Sequence, residues 1–327
     1  MKAIVYARYG PPDVLEFKDV ATPVPRDDEV LIKLFAASVN RLDIGGMRGP
    51  LLARPMIGGL LKPKYKILGA DIAGRVEAVG RQVKQFQPGD EVFGAKNWFG
   101  RRRLGGFAEY VCAVEDELAL KPANISFEEA AAVTVAAITA LQGLRDKGRI
   151  QAGQKVLVDG ASGGVGTFAV QIAKSFGAEV TAVCSTRNVD TARSIGADHV
   201  IDYTREDFTR SGQRYDLIMA ANAYHSLFDY RRALSPDGLY VWVGGRVSPQ
   251  VMLLGPLLSL IGRKKTCFFL AKLNKKDLVF LKELLETGKI VPVIDRRYPL
   301  SEVAETIRYL EAGHARGKVV IAIGNSG

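Results

Sequence analysis

The sequence predicts an α/β protein made of a β-rich lobe and a doubly wound parallel sheet. At 327 residues the chain is longer than one hydrophobic core usually serves, so we expect two domains. Roughly the first 120 residues contain short β-branched and apolar runs between Gly, Pro and Asp joints, which indicates strands and tight turns. From Lys155 onward strand and helix patterns alternate, which is typical of a parallel sheet with helices on both faces.

The elements follow from these patterns in chain order. Ser126 and Glu129 form a capping-box pair that opens an alanine-rich helix after the β-rich lobe. A long amphipathic helix over Lys275–Thr287 leads to a last strand over Val319–Ile323. The other predicted strands are Lys2–Tyr6, Glu29–Ala36, Ile72–Val79, Glu91–Phe93, Lys155–Asp159, Glu179–Cys184, Val200–Asp202, Asp216–Ala220, Leu239–Val243 and Cys267–Leu270.

Composition restricts the class of partner. The net charge is +10, but the basic residues fall in short, scattered clusters without interleaved aromatics, so we expect a solvated surface and no nucleic-acid partner. Cys112, Cys184 and Cys267 lie far apart without a Cys-x-x-Cys pair, which argues against disulfides and structural zinc and favours a reducing, cytoplasmic location. The apolar run Val251–Ile261 is shorter than the roughly 20 residues that a membrane span needs.

A glycine-rich turn follows the predicted strand Lys155–Asp159. It reads Gly160-Ala161-Ser162-Gly163-Gly164-Val165-Gly166, and a helical pattern leaves it. Small residues let backbone N–H groups approach a pyrophosphate, and the helix N-terminus adds partial positive charge. The turn therefore predicts a dinucleotide site. The alternative is an ordinary turn between strand and helix.

The end of the next strand indicates which dinucleotide binds. NAD sites usually place Asp or Glu there for the ribose 2′-hydroxyl. Here the strand Glu179–Cys184 runs into Ser185-Thr186-Arg187, with no acid before Asp190. A hydroxyl and a guanidinium suit a 2′-phosphate, so we predict NADPH. The alternative is that Arg187 is a solvated residue at the start of a helix.

Several motifs together resemble the zinc-free quinone oxidoreductase branch of the medium-chain dehydrogenase/reductase family. This resemblance covers essentially the whole chain. It implies a GroES-like catalytic domain formed by residues 1–124 and 271–327, with a Rossmann NADPH-binding domain over 125–270. Besides the glycine turn, the markers are Ser38-Val39-Asn40-Arg41-Leu42-Asp43, Leu68-Gly69-Ala70-Asp71-Ile72-Ala73-Gly74, Phe86-Gln87-Pro88-Gly89-Asp90-Glu91-Val92, Gly106-Phe107-Ala108-Glu109-Tyr110 and Gly196-Ala197-Asp198-His199-Val200-Ile201-Asp202-Tyr203.

The resemblance also implies a metal-free reaction. Asn40, Ala70 and Val135 occupy the positions where zinc-dependent members have metal ligands, and none of these side chains suits zinc. Without a Lewis acid, an alkoxide is hard to stabilise, whereas a quinone or an enone delocalises the incoming charge itself. The implied activity is transfer of hydride from NADPH to a quinone or an α,β-unsaturated carbonyl.

The resemblance assigns site residues one by one. Asn40 and Asp43 are candidates for orienting the substrate, although either side chain could instead cap a local turn. Tyr203 is implied near the adenosine phosphate, with a solvent-facing aromatic as the alternative. The full implied cofactor-binding set is Asn40, Thr139, Ser162, Gly163, Gly164, Val165, Ser185, Thr186, Arg187, Tyr203, Val243, Gly244, Phe269 and Lys318.

Three questions stay open at the level of sequence. The chain could instead be a zinc-free enoyl-thioester reductase, or an NADPH-binding protein with a structural, sensing or RNA-binding role. The resemblance implies a homodimer, and the apolar run with its basic tail, Val251–Lys265, could form a subunit contact, a substrate lid or a weak membrane-surface contact. Trp98 and Phe99 could stack on a quinone ring or pack within their own loop.

Overall fold

The computed structural model describes residues 1–49, 59–64, 66–96, 105–245, 250–313 and 315–324. The chain forms two compact units. The first unit comprises Met1–Val135, Leu273–Glu286 and Ile294–Gly327, and the second comprises Ala136–Lys272 and Thr287–Val293. Trp98 and Phe99 lie outside the described residues, so their predicted role stays a prediction.

The first unit is built on a seven-stranded sheet with the order β14-β15-β3-β4-β5-β7, in which β6 also pairs with β3. All neighbours are antiparallel except β14 and β15. The strands are β1 (Lys2–Val5) and β2 (Glu16–Asp19), which form a separate pair, with β3 (Glu29–Val39), β4 (Asp71–Val79), β5 (Glu91–Ala95), β6 (Tyr110–Val114), β7 (Leu118–Leu120), β14 (Ile294–Pro299) and β15 (Lys318–Ala322). The helices are α1 (Arg41–Arg48), α7 (Lys275–Glu286) and α8 (Val303–Glu311).

The second unit is a six-stranded, all-parallel sheet with the order β10-β9-β8-β11-β12-β13. The strand order reverses between β8 and β11, as in a Rossmann sheet, so the predicted doubly wound sheet is confirmed. The strands are β8 (Lys155–Asp159), β9 (Glu179–Cys184), β10 (His199–Asp202), β11 (Tyr215–Ala220), β12 (Leu234–Trp242) and β13 (Lys265–Phe268). The helices are α3 (Gly164–Ser175), α4 (Val189–Ser194), α5 (Leu227–Ala233) and α6 (Gly255–Ile261).

The helix α2 (Phe127–Leu141) begins in the first unit and ends in the second. Its predicted capping box is confirmed, because the Glu129 backbone N–H donates to Ser126 Oγ at 3.2 Å and the Ser126 N–H donates to Glu129 Oε2 at 2.7 Å. The division between the two units falls within this helix, at 135/136, and again at 272/273. The functional domain limits at 124/125 and 270/271 stay a prediction.

Strand limits differ from the predicted ones most in β12, in β13 and in β3, which ends at Val39 and not at Ala36. The strand predicted at Leu239 begins at Leu234, because Leu234 pairs with Tyr215 before an irregularity and the ladder resumes at Leu239. The strand predicted over Cys267–Leu270 lies two residues earlier, over Lys265–Phe268, because its partner β12 ends at Trp242 opposite Phe268. Strand pairing, which the local pattern does not reveal, sets these limits.

One described helical stretch, Phe127–Lys147, is long and apolar enough by composition to cross a membrane. In the structure, 72% of the most apolar 18-residue stretch of this helix is buried, as in the core helix of a globular protein. The apolar segment Val251–Leu260 is shorter than such a span.

Candidate functional site

The glycine turn after β8 depends on two close backbone approaches. A Cβ at Gly166 would lie 2.1 Å from the carbonyl oxygen of Gly160, so α3 can pack against the strand end only without a side chain there. Gly160 has a φ of +79°, in the left-handed region that favours glycine. The sequence pattern of the turn is therefore required by its backbone geometry.

The N-terminus of α3 is suited to an anion. The residue before the helix is Gly163, and a Cβ there would meet no described atom closer than 3.6 Å, so space lies in front of the turn. The first turn of α3 contains no acidic residue, and within the described chain no side chain caps it. Its N–H groups and partial positive charge are thus available to a pyrophosphate.

Asp159, the last residue of β8, is buried beneath this turn. The Tyr230 hydroxyl donates a hydrogen bond to its carboxylate, and the Tyr230 ring stacks on Tyr240 with centroids 4.4 Å apart. Burial raises the pKa of the Asp159 carboxyl to about 6. Sequence reasoning missed this contact because Tyr230 lies on α5, 71 residues away. The pair fixes the end of β8 against α5.

Most of the residues implied in cofactor binding share the carboxyl edge of the parallel sheet. Because all six strands run the same way, the residues that follow them meet at that edge. Val243 and Gly244, which follow β12, donate backbone hydrogen bonds to the Ala220 carbonyl at 3.0 and 3.2 Å. The implied residues at this edge are Ser162, Gly163, Gly164, Val165, Ser185, Thr186, Arg187, Tyr203, Val243, Gly244 and Phe269. Thr139 is half-buried on α2.

A carboxylate that sequence reasoning missed lies next to Thr186. Strands β9 and β10 pair with Cys184 opposite Asp202, and the Thr186 hydroxyl donates to Asp202 Oδ2 at 2.5 Å. This hydrogen bond holds the pKa of the Asp202 carboxyl below its usual range. Tyr203, beside it, is 60% exposed, with its backbone N–H bound to the Cys184 carbonyl. The sequence around the end of β9 does not reveal Asp202, because this residue belongs to the neighbouring strand β10.

The other implied residues belong to the first unit, where Asn40 and Lys318 meet at the buried carboxylate of Asp71. The Lys318 ammonium donates to Asn40 Oδ1 at 2.7 Å and to Asp71 Oδ2 at 3.1 Å. Asp71 also accepts from Asn40 Nδ2 at 2.9 Å and from Ser38 Oγ at 2.6 Å. Lys318 and Asp71 are almost fully buried, so each charge depends on the other.

Asp43 has a structural task in the same unit. One carboxylate oxygen accepts from the Asn40 backbone N–H at 2.8 Å and the other from the Gly69 N–H at 3.1 Å. The first bond caps α1, and the second ties that helix to the start of β4. Asp43 is fully buried, which raises the pKa of its carboxyl to about 7. This geometry favours the capping alternative over contact with a substrate.

The three positions that the family resemblance matches to zinc ligands converge on Asp71. Asn40 Nδ2 binds one of its oxygens and the Val135 backbone N–H binds the other at 2.8 Å, while Ala70 is its buried neighbour. A buried ammonium, Lys318, supplies the positive charge at this point. Among the described residues, no group of three or more His, Cys, Asp or Glu side chains is placed to hold a metal.

Comparisons with known proteins agree with this architecture. The alcohol dehydrogenase GroES-like domain model matches residues 26–123, and a zinc-binding dehydrogenase model matches residues 195–321. The chain is 39% identical to 2-methylene-furan-3-one reductase of Solanum lycopersicum and 36% identical to an NADPH-dependent alkenal/one oxidoreductase of Arabidopsis thaliana, a chloroplastic protein. Each match covers 98% of this chain and 79% of the relative.

A solved structure is similar over the same length. The quinone oxidoreductase of Escherichia coli complexed with NADPH has a TM-score of 0.85 and 26% identity, covering 98% of this chain and 100% of that one. The expected combination of a GroES-like domain and a Rossmann-like parallel sheet is therefore confirmed.

The Asp71–Lys318 pair yields a stability prediction. We expect Asp71→Asn and Lys318→Met each to lower the free energy of unfolding by about 3–5 kcal/mol, because each leaves one buried charge without its partner. The double variant should lose less than the sum of the single losses, by at least about 1 kcal/mol, in urea unfolding. Asp19→Asn, in the exposed pair Lys2–Asp19, is the matched control and should leave the midpoint unchanged. Strict additivity would contradict the coupling.

Proposed function

We infer the function of this chain from its family: it belongs to the quinone oxidoreductase branch of the medium-chain dehydrogenase/reductase family. We propose that it is an NADPH-dependent, metal-free reductase that transfers hydride to a quinone or an α,β-unsaturated carbonyl. The observation that carries the proposal is the open N-terminus of α3 behind the Gly160–Gly166 turn, at the point where the strand order of the parallel sheet reverses.

The residues at this edge of the sheet fit NADPH. The glycine turn offers backbone N–H groups to the pyrophosphate, and Ser185 and Arg187 offer a hydroxyl and a guanidinium to a 2′-phosphate. When bound, NADPH supplies the hydride. The chain's own part is to bind and orient the two reactants and to exclude water from them.

The polar cluster of the first unit supports metal independence. Asn40, Ala70 and Val135 offer an amide and two apolar side chains where zinc-dependent members have ligands, and the Asn40 amide is already bound to Asp71 and Lys318. A quinone or an enone accepts hydride without a Lewis acid, because the conjugated oxygen takes up the charge. Asn40 is 9% exposed. We include it in the proposal as a substrate-orienting residue.

The proposed activity is tested by NADPH consumption with a panel of acceptors. We expect turnover with 9,10-phenanthrenequinone, 1,4-benzoquinone or a 2-alkenal, unchanged by EDTA, because the chemistry needs no metal. A 2-enoyl thioester in the same panel tests the alternative enoyl-thioester activity. Secondary alcohols with NADP⁺ are the control, and we expect no formation of NADPH from them. Tight NADPH binding without turnover of any acceptor would contradict the proposal and favour a non-catalytic role.

We also propose that the chain acts in the cytoplasm as a homodimer that uses the apolar face of residues 251–260. Leu253, Leu257 and Leu260 are 69%, 56% and 84% exposed, at helical spacing. The helix α6, which carries Leu257 and Leu260, contacts β13, the last strand in the described order of the sheet. A second copy of the chain could cover the apolar face. The flanking Arg263 is paired with Asp237, and Lys265 binds the Ser259 and Gly262 carbonyls, which argues against a membrane surface.

Sedimentation velocity tests this assignment. We expect a dimer for the unmodified chain and a monomer for Leu260→Asp, because a charge on the covered face opposes association. Val24→Asp is the matched control, since Val24 is equally exposed at 84% in the first unit. Binding to anionic vesicles that Leu260→Asp abolishes, with no change in oligomeric state, would favour the membrane-surface reading.

A further inference from the structure

A compact polar cluster at the ends of β9 and β10 bears on the choice of cofactor. Asp202 closes β10 and is only 8% exposed, while Thr186 and Thr204 beside it are exposed. Asp202 Oδ2 accepts from Thr186 Oγ1 at 2.5 Å, and Oδ1 accepts from Thr204 Oγ1 at 2.7 Å and from the Thr204 backbone N–H at 3.0 Å. The two hydroxyl oxygens lie 3.0 Å apart.

The hydroxyl protons of this cluster are all used within it. Each threonine hydroxyl has one proton and two lone pairs. Both protons are donated to the Asp202 carboxylate, so none remains for the 3.0 Å contact between the two hydroxyl oxygens. Towards a ligand, both threonines therefore present lone pairs and act as acceptors.

Ser185, one residue before this cluster, has the opposite polarity. Asn188 Nδ2 donates to Ser185 Oγ at 3.1 Å, so the serine's own proton remains for a ligand. Asn188 is almost fully buried, and its Oδ1 is a buried atom for which the described structure shows no hydrogen-bond partner. The exposed Arg187 lies in the same turn and adds positive charge. The ends of β9 and β10 together thus combine a donor and a cation with two hydroxyl acceptors and a carboxylate.

We propose that Asp202 is a specificity-determining residue that restrains the preference of this chain for NADPH over NADH. The inference rests on the proposed function, because it assigns the adenosine ribose to this turn. The 2′-hydroxyl of NADH can donate to the acceptor oxygens of Thr186 and Thr204. The 2′-phosphate of NADPH has only acceptor oxygens, so it gains nothing from these two hydroxyls and is repelled by the Asp202 carboxylate. Ser185 and Arg187 favour the phosphate, and Asp202 opposes them.

Dissociation constants of NADPH and NADH, measured by quenching of protein fluorescence or by calorimetry, test the proposal without any acceptor substrate. We expect Asp202→Asn to raise the preference for NADPH, taken as the Kd of NADH over that of NADPH, about tenfold. The amide removes the charge and can donate to Thr186, which frees the threonine proton for a phosphate oxygen. Arg187→Ala should lower the same ratio, because it removes the cation that favours the phosphate.

Asp207→Asn is the matched control. Asp207 binds the backbone N–H and hydroxyl of Thr209 at 2.9 and 2.7 Å, the same local arrangement that Asp202 makes with Thr204. It follows β10 by five positions in sequence and is outside the proposed cofactor set, so its variant should leave the ratio unchanged. The melting temperatures of the two Asn variants show whether both variants fold with similar stability. Thr186→Val is a second route, since it removes an acceptor for the 2′-hydroxyl and should also raise the preference for NADPH.

The outcomes separate this inference from the proposed function. An unchanged or lowered ratio in Asp202→Asn and Thr186→Val, with the unmodified chain still binding and oxidising NADPH, would overturn the role of Asp202 alone. An equal rise in Asp207→Asn would also overturn it, because the effect would then be one of net charge. Binding of neither dinucleotide by the unmodified chain would overturn both.

Discussion

The close packing of Gly166 against the Gly160 carbonyl is the constraint on which the rest of the second unit depends. A side chain at Gly166 would lie 2.1 Å from that oxygen and would push α3 away from β8. With glycine there, the open N-terminus of α3 faces the carboxyl edge of the sheet, where the residues after the other parallel strands also lie. The buried Asp159–Tyr230 contact fixes the strand end that this turn requires.

The first unit depends on a different interaction, the hydrogen bonds of the buried Asp71 carboxylate. Its hydrogen bonds join the end of β3 through Asn40, the start of β15 through Lys318 and the helix α2 through the Val135 N–H. The family resemblance places two of these residues, Asn40 and Val135, at positions that correspond to zinc ligands. The local site is therefore neutralised by an ammonium and filled by an amide, which leaves its residues suited to positioning rather than to metal chemistry.

Sequence reasoning succeeded where the signal was local. The glycine turn, the Ser126–Glu129 capping box and the alternation after Lys155 each lie within a short window, and the structure confirms the elements that they predict. It failed where the signal was long-range: Asp202 reaches Thr186 from the neighbouring strand, and Lys318 reaches Asp71 from 247 residues away. The early start of β12 likewise depends on pairing between strands. The sequence singled out Asn40 and Lys318 as candidates, but it did not predict the contact between them.

We propose that the Gly160–Gly166 turn binds a dinucleotide in position for direct hydride transfer to a conjugated acceptor. The most direct measurement is mass spectrometry of the product after a single turnover of a 2-alkenal with NADPH deuterated at C4 of the nicotinamide, in the presence of EDTA. Using each C4 stereoisomer in turn, we expect one deuterium at the β-carbon of the saturated product from one isomer and none from the other. Saturated product without deuterium from either isomer would contradict direct hydride transfer.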